Sequence, residues 1–324
     1  MNNKPIRVLP REVFMATKWA FRAAQIPAGY GVAASEMIQY AEMYHGIGLS
    51  TLQQQLSTLE HSSPTPPIIV DEDEGCALMD GGGQSVLICA PGALDLACAN
   101  AKEYRNAARD GSAACDGSAV CDGIGLVCVE NVGHGLALLE QLADQAARRG
   151  LVCLLMTAVT TPKEANRTMI AFPHEEAPLI IHAALRTPSQ THIELINLVR
   201  NRGLSPSSPV GSRRLSPSSP NLIRELFTNA FIAPPQTNVM PLSNNFLILC
   251  VHPNRLDELS DLESDVLKHV EQVSANKFLT QTPLIQQPHE RAAKRERAHR
   301  HGLETDYAIW SEIKQFGNRI QIPV

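Results

Sequence analysis

Residues 127–157 read VCVENVGHGLALLEQLADQAARRGLVCLLMT, two apolar runs on either side of an amphipathic stretch. Short apolar runs bounded by turn residues fit buried strands, and the recurring leucines and alanines between them fit a helix. Strands are therefore predicted at 124–131 and 151–158, joined by a helix over 135–149. A strand–helix–strand unit favours parallel pairing, because the helix returns the chain to the end where it began. This constrains the fold more than any other feature, since it demands a helix-covered sheet. The runs IIV, CALMD, SVLICA, MIAF, PLIIHAAL and NFLILCVHP offer further strands, separated by acidic, glycine-rich or proline-containing turns. The fold class predicted is mixed α/β.

The first 60 residues have a different texture. REVFMATKWAFRAAQ places Phe14, Phe21 and Ala24 near helical spacing, and Pro27 to Gly31 breaks the pattern. A second helix carries Ala33, Met37, Tyr40, Ala41 and Tyr44 on one face, and a third carries Leu52, Leu56 and Leu59, with Ser50 able to cap it. HSSPTPP reads as a linker. At the other end, RLDELSDLESDVLKHVEQV, PHERAAKRERAHRHGL and DYAIWSEIKQFG read as helices. The expected organisation is a helical unit at 1–62, a central α/β unit at 66–245 and a closing strand with helices at 246–324 that pack on the first unit. LSPSSP occurs at Leu204–Pro209 and again at Leu215–Pro220, so 203–221 is expected to be a loop or linker within the central unit.

Several function classes lose support at this level. A formal charge of −5 gives no general attraction to nucleic acid or anionic membrane. The basic cluster RAAKRERAHRHG has Glu290 and Glu296 interspersed and reads as a solvated helix face. No apolar run approaches the ~20 residues of a membrane span, and the start MNNKPIRVLPREVF has no apolar signal region. Eight cysteines occur without a CxxC pair, several inside apolar runs, so buried free thiols in a reducing, cytoplasmic setting are expected and no metal site. DGGGQS and ACDGSAVCDGIG lack a following Gly-Lys-Ser/Thr and read as turns. The acidic run Asp71–Glu74 reads as a solvated hairpin turn.

His45 and His134 both stand beside glycines. His134 lies between Gly133 and Gly135 at the end of a predicted strand. Glycine on both sides permits a sharp turn, and strand ends in open α/β sheets often face ligands. An imidazole there can take or give a proton near neutral pH, or it can simply be a turn residue. His45 ends a predicted helix before Gly46, which a helix C-cap explains equally well.

The order of these pieces, YHGIGL, then VENVGHG, then the closing ERAAKRERAHRHGLETDYAIW, resembles the malate/L-lactate dehydrogenase family of NAD(P)-dependent oxidoreductases. This is the non-Rossmann type that includes ureidoglycolate dehydrogenase and cyclic-imine reductases. The resemblance spans most of the chain. It implies a non-Rossmann fold with the helical N-terminal unit packed on the C-terminal helices, a homodimer, NAD or NADP as cofactor, and a small 2-oxo or 2-hydroxy acid or cyclic imine as substrate. It implies His134 as the acid/base and His45 at the substrate, with Tyr44, Gly46 and Asn131 beside them. The chain departs from the family where serine is Tyr44, where the carboxylate-holding arginine is Leu49, and where an aspartate is His182. The glycine- and lysine-rich cofactor segment has no counterpart. Arg148, Arg149, Lys163 and Arg167 remain as substitutes for the lost arginine. The second reading is a relative that kept the fold without the reaction and serves as a binding or assembly protein.

Overall fold

The computed structural model describes residues 5–61, 65–73, 75–109, 123–160, 165–202, 220–232, 243–256, 258–273, 279 and 283–319. The chain begins with β1 (Pro5–Val8), followed by α1 (Pro10–Ala23), α2 (Ala28–His45) and α3 (Gly48–His61). The hairpin β2 (Ile68–Asp73) and β3 (Cys76–Asp80) leads into α4 (Val86–Arg109). Then come β4 (Ile124–Glu130), α5 (Glu140–Arg148), β5 (Val152–Ala158), β6 (Asn166–Phe172) and β7 (Leu179–Leu185). Next are α6 (Gln190–Arg202), α7 (Pro220–Asn229), β8 (Asn245–Val251), α8 (Leu259–Val273) and β9 (Leu284–Gln286). The chain closes with α9 (Pro288–His301), β10 (Leu303–Asp306) and α10 (Tyr307–Gly317).

Among the described residues the main sheet has eight strands in the order β2-β3-β4-β8-β5-β6-β7-β9, of which only β3 and β4 pair in parallel. The predicted strands β4 and β5 both exist, but they are not neighbours. β8 lies between them, antiparallel to each, so β4 and β5 point the same way without touching. Side chains alternate along each strand, and both faces are apolar, as a doubly covered sheet requires. Val127, Val129, Cys153, Leu155, Ile248 and Cys250 join the core under α1 to α5 and α10. Leu126, Cys128, Leu154, Met156, Leu247 and Leu249 join a second core with α6, α7 and α8. The result is three layers.

The helical unit is built as the leucine and alanine spacing predicts. Leu52, Leu56 and Leu59 are all buried on one face of α3. Helix α1 packs on α2 and α10, α10 also meets α3, and β1 pairs with β10, so the two ends of the chain are joined. SVLICA differs from its expected role as a strand. It forms the start of α4, where Val86, Leu87 and Ala90 face the core at helical spacing. An apolar run this short does not distinguish a buried strand from a buried helix turn. Asp71–Asp73 belong to β2 and not to a turn. Pro27 caps α2, which runs through Gly29 and Gly31. All six cysteines among the described residues are buried thiols; Cys115 and Cys121 lie outside them. The LSPSSP copies lie outside the described residues, apart from the final Pro220, which opens α7. No helix among the described residues is long and apolar enough to cross a membrane.

Candidate active site

The loop after β4 explains the pair of glycines around His134. A side chain at Gly133 would place its Cβ 2.4 Å from the Gly83 carbonyl oxygen, so the two loops approach this closely only through glycine. Gly135 has φ +96°, and a Cβ there would come within 2.8 Å of Val86. The backbone between them is clamped. The amide of Gly133 donates to Gln84 O at 2.7 Å, and that of Val86 donates to His134 O at 3.0 Å. Asn244 Nδ2 reaches Gly133 O at 3.2 Å. The main chain is therefore fixed while the His134 ring is exposed and makes no hydrogen bond among the described residues.

His134 faces a cleft of about 640 Å³. Its near wall is Gly135, Leu136 and Ala137, the short turn that leads into α5. The facing wall is the polar side of α3, where Thr51, Gln54, Gln55 and Thr58 recur at helical spacing. Gln55 is oriented by Ser85, whose hydroxyl donates to Gln55 Oε1 at 2.6 Å. Ala165 and Arg167, at the start of β6, close the cleft, and Arg167 is the one permanently charged side chain among its described lining residues. Register places Arg167 opposite Ala184 and Met169 opposite His182, so Arg167 and His182 are diagonal neighbours on one face of the sheet.

His45 has other company. It ends α2 before Gly46, which takes the left-handed conformation at φ 67° expected of a C-cap. Its Nε2 lies 3.0 Å from Glu140 Oε2, a charge contact by distance in which the ring N–H is not aimed at the oxygen. Glu140 is buried and also accepts from the Tyr40 hydroxyl at 3.0 Å and from Gln286 Nε2 at 3.1 Å. His182 Nδ1 is 3.9 Å from the same carboxylate. Arg291 sits behind, wholly buried, donating to Tyr40 Oη at 2.8 Å and Asp144 Oδ1 at 2.7 Å, and also to Gln286. Its guanidinium lies 4.4 Å from the centroid of the Tyr44 ring. Burial pushes the Glu140 carboxyl up, but the His45 contact and the charges of His45, His182 and Arg291 prevail and hold it at about 2. Burial pushes His182 down to about 4 against the pull of Glu140, helped by the charges of Arg167 and His45.

The residues singled out from the sequence thus fall into two groups. His134 is on the cleft. His45 and Tyr44 belong to the Glu140–Arg291 network, Tyr44 being buried with its backbone oxygen accepting from Lys294 at 2.7 Å. Gly46 forms the turn. Asn131 takes a left-handed conformation at φ 52°, and its Nδ2 donates to Asp80 Oδ1 at 3.1 Å. Leu49 is a core residue at 1% exposure. The sequence reading missed Glu140, Asp144 and the buried role of Arg291, which with Ala298 forms the buried side of an otherwise solvated α9. Glu140 and Asp144 lie one turn apart in α5, and that spacing was the available clue. The glycines at 81–83 form an internal turn as expected. Their amides donate to Glu130 O, Asp80 Oδ1 and Asn131 O at 2.8, 2.8 and 2.7 Å, and none is left to cradle a phosphate. No cluster of metal-ligating side chains occurs among the described residues.

No protein-family model and no curated protein matches the sequence. Solved structures do match in shape across nearly the whole chain. Malate dehydrogenase from Pyrococcus horikoshii superposes with a TM-score of 0.56 at 15% identity, over 98% of this chain and 96% of that one. The chain has the malate/L-lactate dehydrogenase-like fold. Sulfolactate dehydrogenase from Methanocaldococcus jannaschii shares this fold, with a TM-score of 0.55 at 16% identity and 97% of each chain covered. So does Δ1-piperideine-2-carboxylate reductase from Pseudomonas syringae, at 0.51 and 14%, over 96% of this chain and 99% of that one. At such identities the likeness is one of fold.

Proposed function

We propose that the chain is an NAD(P)H-dependent oxidoreductase acting on a small 2-oxo or 2-hydroxy acid or a cyclic imine, with His134 as its acid/base. The observation that carries this reading is an exposed imidazole, held by a clamped glycine loop, facing a 640 Å³ cleft in a dehydrogenase-like fold. That volume lies in the usual range for small-molecule sites, roughly 300–1,000 Å³.

The lining suits the reacting end of a nicotinamide cofactor in kind. Gly135, Leu136 and Ala137 offer a compact, largely apolar wall for the ring, and Gln54 and Gln55 offer amides that complement its carboxamide. Hydride exchange with the substrate carbon is the chemistry such a group would supply when bound. His134 gives a ring proton to the substrate's carbonyl oxygen in reduction, the carbonyl π pair becoming the new O–H bond. In oxidation it takes the hydroxyl proton back. The Ser85–Gln55 bond and the loop clamp hold the two walls of the cleft in place during the transfer.

Fluorescence titration with NADH and NADPH, followed by assays with 2-oxo acids, tests this reading. Binding of either cofactor is expected, and His134→Ala should lower turnover by about 10²–10⁴-fold with cofactor affinity retained. Absence of binding by both cofactors would refute it. The competing reading, a non-catalytic relative, draws on the buried Leu49 and on the glycine turn whose amides are already engaged. Turnover that depends on His134 removes that alternative.

A further inference from the structure

A second cleft, of about 660 Å³, lies where the later half of α9 meets β1, β10 and the end of α2. It shares no lining residue with the His134 cleft. Gly302 makes this junction possible. It takes φ +76°, turning the chain from α9 straight into β10, and a Cβ there would come within 3.1 Å of Val8 O. Because β10 pairs with β1, the turn brings Arg7 beside α9. Lys294, Arg297 and His301 follow at i, i+3 and i+7, on one face of that helix. Ala298 lies among them, and with Met43 and Leu303 it gives the cleft an apolar floor.

Two of these basic groups have local roles. Lys294 donates to Tyr44 O at 2.7 Å, meeting one of the free carbonyls at the end of α2. His301, in the last turn of α9, complements the negative end of the helix dipole. Arg7 and Arg297 have no such role, and neither makes a hydrogen bond or ion pair among the described residues. The two carboxylates of the cleft do not neutralise them. Glu42 is buried and accepts from the Leu49 amide at 2.9 Å, with the Gly48 amide and the Thr305 side chain as further donors. Glu304 stands opposite Arg7 in the β1–β10 register without forming an ion pair. Lys294 is held below its ordinary range first by burial and then by the like charge of Arg297, as in a cluster short of counter-charge.

We propose that this cleft binds a small phosphorylated organic anion, with Arg7, Lys294 and Arg297 on the phosphoryl group and the floor under a short apolar body. Three fixed cations suit a dianion, and a phosphate ester carries about −1.5 to −2 charges at pH 7 on three acceptor oxygens. An arginine fork takes two of those oxygens side by side, while an ammonium serves as a point charge. The volume lies within the roughly 300–1,000 Å³ of small-molecule sites. His134 and redox chemistry play no part in this binding, so either can fail alone.

The test titrates phenyl phosphate, inorganic phosphate and succinate into the full chain at constant ionic strength, with binding read by calorimetry. Saturable binding of phenyl phosphate is expected, and none up to about 10 mM overturns the site. Arg7→Gln and Arg297→Gln should each weaken it by about 10-fold or more. Arg300→Gln is the control, since Arg300 lies outside the cleft lining and already pairs with Glu296. It should change the affinity by less than about 2-fold. Equal losses at Arg297 and Arg300 would mean diffuse attraction to a basic helix and would overturn the site, as would affinity indifferent to both cleft variants. Arg7 and Arg297 are exposed on separate elements, so if one variant does not fold the other decides. Succinate, a dianion without a phosphoryl group, should bind about 10-fold more weakly than phenyl phosphate, and equal affinity overturns the phosphoryl class. Inorganic phosphate should bind at least about 3-fold more weakly than phenyl phosphate, and equal affinity removes the apolar floor from the site. Phenyl phosphate binding that depends on Arg297 in a chain that takes neither NADH nor NADPH keeps this site and removes only the redox reading.

Discussion

Two polar clusters occupy one side of the sheet, and they are built on opposite principles. Around Arg291, charged groups are buried and joined to one another: Glu140, Asp144, Tyr40 and Gln286 interlock, with His45 and His182 at the edge. Around His134, the backbone is fixed but the ring is exposed to a cleft lined by threonines, glutamines and one arginine facing the apolar turn at 135–137. The first arrangement leaves little room for a ligand and joins α2, α5 and α9 by charge. The second leaves the His134 ring open to the cleft. Stability and chemistry are therefore expected to separate under mutation.

The largest effect should come from Arg291→Ala. Removing one member of a buried charged cluster strands the others, and the expected loss is about 3–5 kcal/mol in urea unfolding. A loss below about 1 kcal/mol would mean the network is no brace at all. Acid should act next. His182 and His192 are both held at about 4, below the ordinary 6.5, mainly by burial. The unfolded chain then binds more protons, so their contribution is present above pH 6.5 and is lost as pH falls toward 4. Glu140, held at about 2 against an ordinary 4.5, adds a second loss between those values. Each group is worth on the order of 2–3 kcal/mol, and His182→Gln should flatten the first part of the pH–stability curve. The smallest effect on stability should be that of His134→Ala, within about 0.5 kcal/mol, despite its large effect on turnover. A strongly destabilised His134→Ala would erase the contrast.

Much of this was legible in the sequence, but unevenly. The strands β4, β5, β6, β7 and β8 follow from apolar runs, and the glycine corner at His134 follows from Gly133 and Gly135. The leucine spacing of α3 gave its buried face, and its polar face became the cleft wall. Neighbour relations did not follow. A strand's pattern says that it is buried on both faces and not which strand lies beside it, so the insertion of β8 between β4 and β5 was hidden. Arg291 was hidden for a similar reason. Within PHERAAKRERAHRH it looks like its exposed neighbours, and only the arrival of Asp144 and Tyr40 from distant segments makes it a core residue. His45 reads as a helix end from its own surroundings, and it does close α2, with Gly46 as the cap; its carboxylate partner comes from α5.

The position of β8 also bears on how the chain is made. Synthesis runs from the N-terminus, and β4 and β5 emerge long before the strand that must separate them. Until residues 245–251 leave the ribosome, the half-built sheet holds two facing rows of unmet amide and carbonyl groups. Those rows invite wrong partners, including each other. A chain truncated ahead of residue 245 has no means to close the gap, so such fragments belong with chaperones and proteases and not among folded products.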